Sequence, residues 1–190
     1  MRTETLIFLG LLLVALVYGI MLYNGLVQLK NDVAKAWANI DVVLKQRHDE
    51  LPKLVEVCKQ YKQFEQGTLQ AVIEARSRVQ SAREQQNVPA LNQAEGTLRA
   101  SVGQIFAVAE AYPELRANDN FMQLQQRITS LEGLISDRRE LYNESANLNN
   151  IRVESFPDAI LARMFNFKEK SLLEFEASEK ADVDMRKLFS

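Results

Sequence analysis

The chain has 190 residues, 47% hydrophobic and 25% charged, with 7 Gly, 4 Pro, one Cys and one His. That size suits one globular domain with a small addition, and so few Gly and Pro exclude collagen-like or low-complexity sequence and argue against a turn-rich all-β fold. A single Cys excludes an intrachain disulfide, a single His excludes a multi-His metal centre, and a net charge of −2 gives no whole-molecule drive toward nucleic acid.

The N-terminal stretch carries no charge between Glu4 and Lys30, and Leu6 to Tyr23 is an 18-residue run without a strongly polar side chain. A helix rises ~1.5 Å per residue and the hydrocarbon core is ~30 Å thick, so this run, extended through Val27, spans a bilayer. Tyr18 and Tyr23 suit the membrane–water interface. A cleaved signal peptide requires a shorter apolar region and a small-x-small site. Here the run ends in Tyr23-Asn24-Gly25, so residues 1–27 are expected to be an uncleaved anchor. Lys30, Lys35 and Lys45 follow the span against Arg2 before it. The positive-inside rule then puts the remainder in the cytoplasm, a periplasmic or extracellular placement being the alternative.

From Asn24 onward the apolar residues recur at helical spacing. Val33, Trp37, Ile40, Leu44, Arg47, Leu51, Leu54, Cys58 and Tyr61 form one stripe. Pro52 interrupts it, taking an amide donor from the carbonyl of His48. Because the stripe continues in phase, a kink is expected rather than a stop. A second stripe is Leu91, Leu98, Val102, Ile105 and Ala109, ending at Tyr112-Pro113. Asn118 and Asp119 suit the N-cap of a last helix, whose seam is Phe121, Leu124, Ile128, Leu131, Ile135, Arg138, Tyr142, Ala146, Asn149, Val153 and Phe156. Pro157 closes it.

Gly67-Thr68 reads as a terminator followed by a starter, although Val72, Ala75 and Val79 resume the register. An unbroken first helix would make the last one overshoot by about 16 residues, or ~24 Å. Reversal near Gly67 gives helices of about 24–65, 68–86, 90–112 and 118–156, two long and matched, two short and paired. The expected fold is therefore all-α: a transmembrane helix, then an antiparallel four-helix bundle over residues 28–170, then a tail over 171–190 in which Leu172, Leu173 and Phe175 could pack.

The segment 157–170 sets Ile160, Leu161, Met164, Phe165 and Phe167 beside Arg163, Lys168 and Lys170. It reads either as an interfacial helix that could remodel a membrane or as a piece that closes the bundle base. Arg47-His48-Asp49-Glu50 is the densest polar cluster, but neighbouring residues point to different helix faces, so it reads as a polar layer around Pro52 rather than a catalytic or metal site. Arg47 and Arg138 fall on seams and share a level if the chain reverses. They would either meet Glu50, Glu110, Glu132 or Asp137, or reach out to solvent. Trp37 reads as core. The connection at Tyr112-Pro113 reads as turn chemistry, with partner binding the alternative. No catalytic residue, cofactor or metal is expected.

Four stretches resemble the LemA family of bacterial membrane proteins. The first runs from Tyr23 to Tyr61, with Tyr23-Asn24, then Trp37, Ile40 and Asp41, then Arg47-His48-Asp49 with Pro52. The second has Glu110 to Pro113, including Tyr112-Pro113. The third has Tyr142-Asn143 and the fourth Phe156-Pro157. A second Tyr-Asn of the family pattern is Asn149-Asn150 here, and a late Gly-Phe is Asn166-Phe167. The resemblance implies a single-pass protein of the bacterial cytoplasmic membrane with an antiparallel four-helix domain, and supplies no activity. It implies a scaffold or adaptor with the lipid bilayer and proteins as partners, among them a membrane protease or a second copy of itself. An accessory role in a protease or hydrolase complex, centred on His48, is the alternative.

Overall fold

A computed structural model describes residues 2–61 and 64–174. Among these, all regular structure is helical: α1 Arg2–Lys59, α2 Gln66–Glu84, α3 Val88–Ala109, α4 Pro113–Arg116, α5 Asp119–Glu154 and α6 Asp158–Met164. Phe175 lies outside the described residues. The chain divides into two compact units. The first comprises the chain up to Gln46 with Leu131–Leu172; the second comprises Arg47–Ser130 with the chain from Leu173.

The apolar segment and the first amphipathic stripe are one continuous helix, α1, which also passes through Pro52 without ending. Its N-terminal part holds an 18-residue window of mean hydropathy 2.6 that is wholly unburied. It is long and apolar enough to cross a membrane, and none of the described residues covers it. Burial begins at Leu26 and then follows Val33, Ala36, Ile40, Val43 and Leu44. Trp37 is half-buried beside this seam, and Ala36 occupies the core position expected of it.

In the first unit α1 and α5 run antiparallel. Trp37 meets Tyr142 edge-on at 5.6 Å, and twelve residues earlier Gly25 lies against Arg152. A Cβ at Gly25 would come within 3.3 Å of Arg152 Nη2, so glycine permits this close approach. The α5 seam departs from expectation at two places. The buried arginine is Arg139, with Arg138 half-buried, because the seam steps by four and then three from Ile135 to Tyr142. Phe156 lies beyond the helix end and is exposed.

In the second unit the chain reverses between α1 and α2, near Gly67 as expected, with α1 ending at Lys59 and α2 beginning at Gln66. The last turn of α1 tightens through Gln60 N to Val57 O at 3.3 Å and Tyr61 N to Cys58 O at 3.1 Å. Gly67 has no positive φ and sits in the first turn of α2, so it does not terminate a helix. Thr68 Oγ1 bonds Glu65 Oε2 at 3.0 Å across the helix start. The α2–α3 turn is a Schellman closure: Gln86 takes φ 50, and Asn87 N donates to Ala82 O at 3.0 Å. Asn87 Oδ1 then accepts Ala90 N at 3.1 Å, with proline following in the first turn of α3. Asn118 caps α5 in the same way, accepting from Asn120 N and Phe121 N at 3.0 and 3.2 Å.

Candidate functional site

The motif residues from Tyr23 to Tyr61 and from Glu110 onward divide between the two units. In the second unit, Arg47 is fully buried and its Nη2 donates to both oxygens of Glu95 on α3, at 2.6 and 2.7 Å. Glu95 is itself buried. A buried arginine is tolerated when a carboxylate meets it with short charge-assisted bonds. Glu95 is not among the partners expected from sequence. It sits two turns into a helix whose phase only the α2–α3 hairpin fixes. Glu50, also buried, receives Lys53 Nζ at 3.0 Å and Arg127 Nε at 3.1 Å.

His48 is half-buried, with Asp49 exposed beside it. The main-chain oxygen of His48 lacks the amide that Pro52 removes. Arg76 of α2 replaces it, with Nε donating to His48 O at 3.0 Å. The Arg47-His48-Asp49 and Pro52 motif thus places two arginine contacts, one made by Arg47 and one received by His48, where α1 meets α3 and α2. At the far end of the unit, Tyr112 leaves the helical region before Pro113, with φ −121 and ψ 84, and its ring lies 5.6 Å from Phe64. Tyr61 Oη donates to Glu114 O at 3.3 Å. This turn chemistry ties the 112–118 connection to the residues that follow α1. Cys58 is fully buried, and burial pushes its thiol up to about 12, which removes it from thiolate chemistry at neutral pH.

The first unit carries the other motif residues. Tyr142 is buried, packs on Trp37 and donates its hydroxyl to Ser171 O at 3.0 Å. Burial raises its phenol above the usual tyrosine value. Asn149 Nδ2 donates to Lys168 O at 3.1 Å, while Asn150 donates to Lys170 O at 2.9 Å and accepts Lys170 N at 2.7 Å. Tyr142 and the Asn149-Asn150 pair therefore hold residues 168–171 as a strap along α5. Tyr23 stands edge-on to Phe165 at 4.8 Å and to Phe167 at 5.9 Å; Asn24 beside it is exposed, and nothing in the structure explains its identity. After the Phe156-Pro157 bond, Asp158 is buried and pairs with Arg152 at 2.6 Å. Asp41 and Asn143 are half-buried. Arg138 lines an open groove with Leu29, Lys35, Leu141 and Leu148.

Taken together, the motif residues with described contacts hold helices, turns and a strap in place, and the longest helix presents an uncovered apolar segment. These features define an all-helical protein with one candidate transmembrane helix. The chain belongs to the LemA family, whose model matches residues 36–186. Protein LemA of Metamycoplasma hominis is 25% identical over 166 residues, covering 87% of this chain and 74% of that protein. Magnetosome protein MamQ of Magnetospirillum gryphiswaldense is 22% identical over 172 residues, covering 78% and 63%. Magnetosome protein MamQ 2 of Paramagnetospirillum magneticum is 33% identical over 79 residues, or 42% of this chain. The chain spans only 29% of the length of that relative. None of these names specifies a reaction.

Proposed function

We propose that this protein is a non-catalytic scaffold, anchored in the bacterial cytoplasmic membrane by residues 1–27, that assembles through helix contacts with a second copy of itself. One observation carries this reading. On α5, Leu134, Leu141 and Leu148 recur every seven residues and are 40%, 46% and 48% exposed. A row at that spacing supplies one of the two apolar positions of a coiled-coil heptad. The groove beside it holds Asp32 and Glu144 together with Lys35 and Arg138. Two-fold pairing brings acids of one copy to bases of the other, as an isologous interface requires. The motif residues support the same reading, since Arg47, Trp37, Tyr112 and Tyr142 are engaged in packing. The excess of Lys30, Lys35 and Lys45 over Arg2 orients the helical domain of residues 28–170 toward the cytoplasm.

Disulfide crosslinking of Leu141→Cys in native membranes tests the proposal, because buried Cys58 contributes no background. A covalent dimer is expected, and its loss on Leu134→Glu. Monomer alone under every oxidising condition would remove the proposal. A His48→Ala variant that still crosslinks but abolishes a cellular phenotype would favour an accessory role centred on His48 instead.

A further inference from the structure

The first unit leaves four large apolar side chains uncovered next to the end of the apolar span. Phe156, Ile160, Met164 and Phe165 are 84%, 58%, 65% and 52% exposed. Ile160 and Met164 lie one helical turn apart on α6 and so share a face, with Phe156 in the turn before the helix and Phe165 just after it. The opposite side of α6 is fastened down: Ala162 and Asp158 are buried, and Asp158 is clamped by Arg152 Nε and Nη2 at 3.0 and 2.6 Å. The fold therefore spends polar contacts to present this face outward.

Its position identifies what covers it. Tyr23, the last residue of the apolar run, packs edge-on against Phe165 and Phe167. The exposed face is thus continuous with the segment that enters the bilayer, and lies at interfacial depth if that segment spans. Arg163, Lys168 and Lys170 stand in the same stretch against Glu169, since Asp158 is already paired with Arg152. Apolar side chains inserted at the headgroup boundary with cations beside them are the composition of an interfacial segment.

We infer that the α6 face of Ile160 and Met164, with Phe156 and Phe165 at its two ends, docks onto the membrane that α1 crosses, with Arg163 and Lys168 on anionic lipid phosphates. The inference rests on the anchor reading of residues 1–27. Sequence left this segment open between an interfacial helix and a closure of the bundle base. The structure divides it: Ala162 closes, and Ile160 and Met164 face out.

The full chain, one copy per nanodisc of phosphatidylcholine and phosphatidylglycerol, carries a nitroxide at Met164→Cys, Ile160→Cys, Leu12→Cys or Ser77→Cys. Cys58 stays unlabelled because it is buried. Accessibility to oxygen against a polar nickel complex reads depth. The expected result is a bilayer-centre signal at Leu12, a water signal at Ser77, and at Met164 and Ile160 several-fold protection from nickel relative to Ser77. Water-like signals at Met164 and Ile160 with Leu12 still deep overturn the docking and leave the anchor intact. A water-like Leu12 overturns both. Protection at Met164 that appears only with two chains per disc assigns the face to a second copy and also overturns the docking.

Discussion

Arg76 Nε donates to the main-chain oxygen of His48 at 3.0 Å, and that oxygen is the acceptor that Pro52 leaves without an amide. The helix passes through proline because a side chain from the next helix completes it. An acceptor left unsatisfied away from water costs about 1–3 kcal/mol, and this site, half-buried, belongs at the low end. Arg76→Met should therefore lower stability by about 1 kcal/mol. In a Pro52→Ala background the restored amide serves the same oxygen, and the Arg76→Met cost should nearly vanish. Chemical denaturation of the four proteins in detergent measures the coupling. Equal costs in both backgrounds would show that the bond contributes nothing through His48.

The Arg47–Glu95 pair makes a sharper demand. Removing one member of a buried pair strands a charge and costs about 3–5 kcal/mol, whereas replacing both by apolar groups is often near neutral. Glu95→Leu or Arg47→Met alone should give a protein that is poorly folded at growth temperature. The double variant should recover most of the loss in a thermal melt. If it folds and still fails in cells, Arg47 has a task beyond holding α1 to α3.

Half of this arrangement was legible in the sequence. The carbonyl of His48 follows from Pro52 by counting four residues back, and the buried stripes follow from spacing. Partners did not follow, because Arg76 and Glu95 sit 28 and 48 residues from what they contact. Their phase depends on where the first helix ends, and α1 stops at Lys59 rather than at the expected 65. Glycine and threonine at 67 and 68 do mark the start of α2 at Gln66, but no terminator signature at Gln60 and Tyr61 announces that α1 stops at Lys59. The Arg138 expectation failed for a related reason: steps of three-four and four-three are equally periodic, and only packing chose Arg139.

The strap over residues 168–171 can be loosened one bond at a time. Tyr142→Phe keeps the ring against Trp37 and deletes the bond to Ser171 O, at a cost of about 0.5–1.5 kcal/mol. Hydrogen exchange should quicken over 168–172 while the α2–α3 hairpin is unchanged. Asn150→Ala removes both bonds to Lys170 and should act more strongly. Unchanged exchange in both variants would mean that other contacts hold the strap.

Two left-handed residues offer a paired test of the turns. Gln86 has φ 50 and Asn166 φ 58, and in each case the next residue closes the helix by donating its amide five residues back, Asn87 N to Ala82 O and Phe167 N to Ala162 O. An ordinary side chain in this conformation costs about 1–2 kcal/mol, and asparagine tolerates it better. Gln86→Gly should raise stability by about 1 kcal/mol. Asn166→Gly, which restores the family pattern, should gain less. Melting temperatures that fall for both would contradict the assignment.

Cys58 reports on the core through pH. Its thiol, ordinarily near 9.0, is pushed up to about 12 by burial. Between those values the folded protein keeps a proton that the unfolded chain loses. Raising pH through that window therefore favours unfolding, by up to about 1.4 kcal/mol per pH unit from this group. Below it the thiol is neutral in both states and contributes no pH dependence. Cys58→Ala leaves a small cavity and is less stable near neutrality. The gap between wild type and variant should narrow as pH climbs above 9.0, read by denaturant midpoints of the two proteins in the same buffers. A constant gap would place Cys58 in contact with water. Alkylation near about pH 8 gives the companion result: iodoacetamide should modify the thiol only after unfolding.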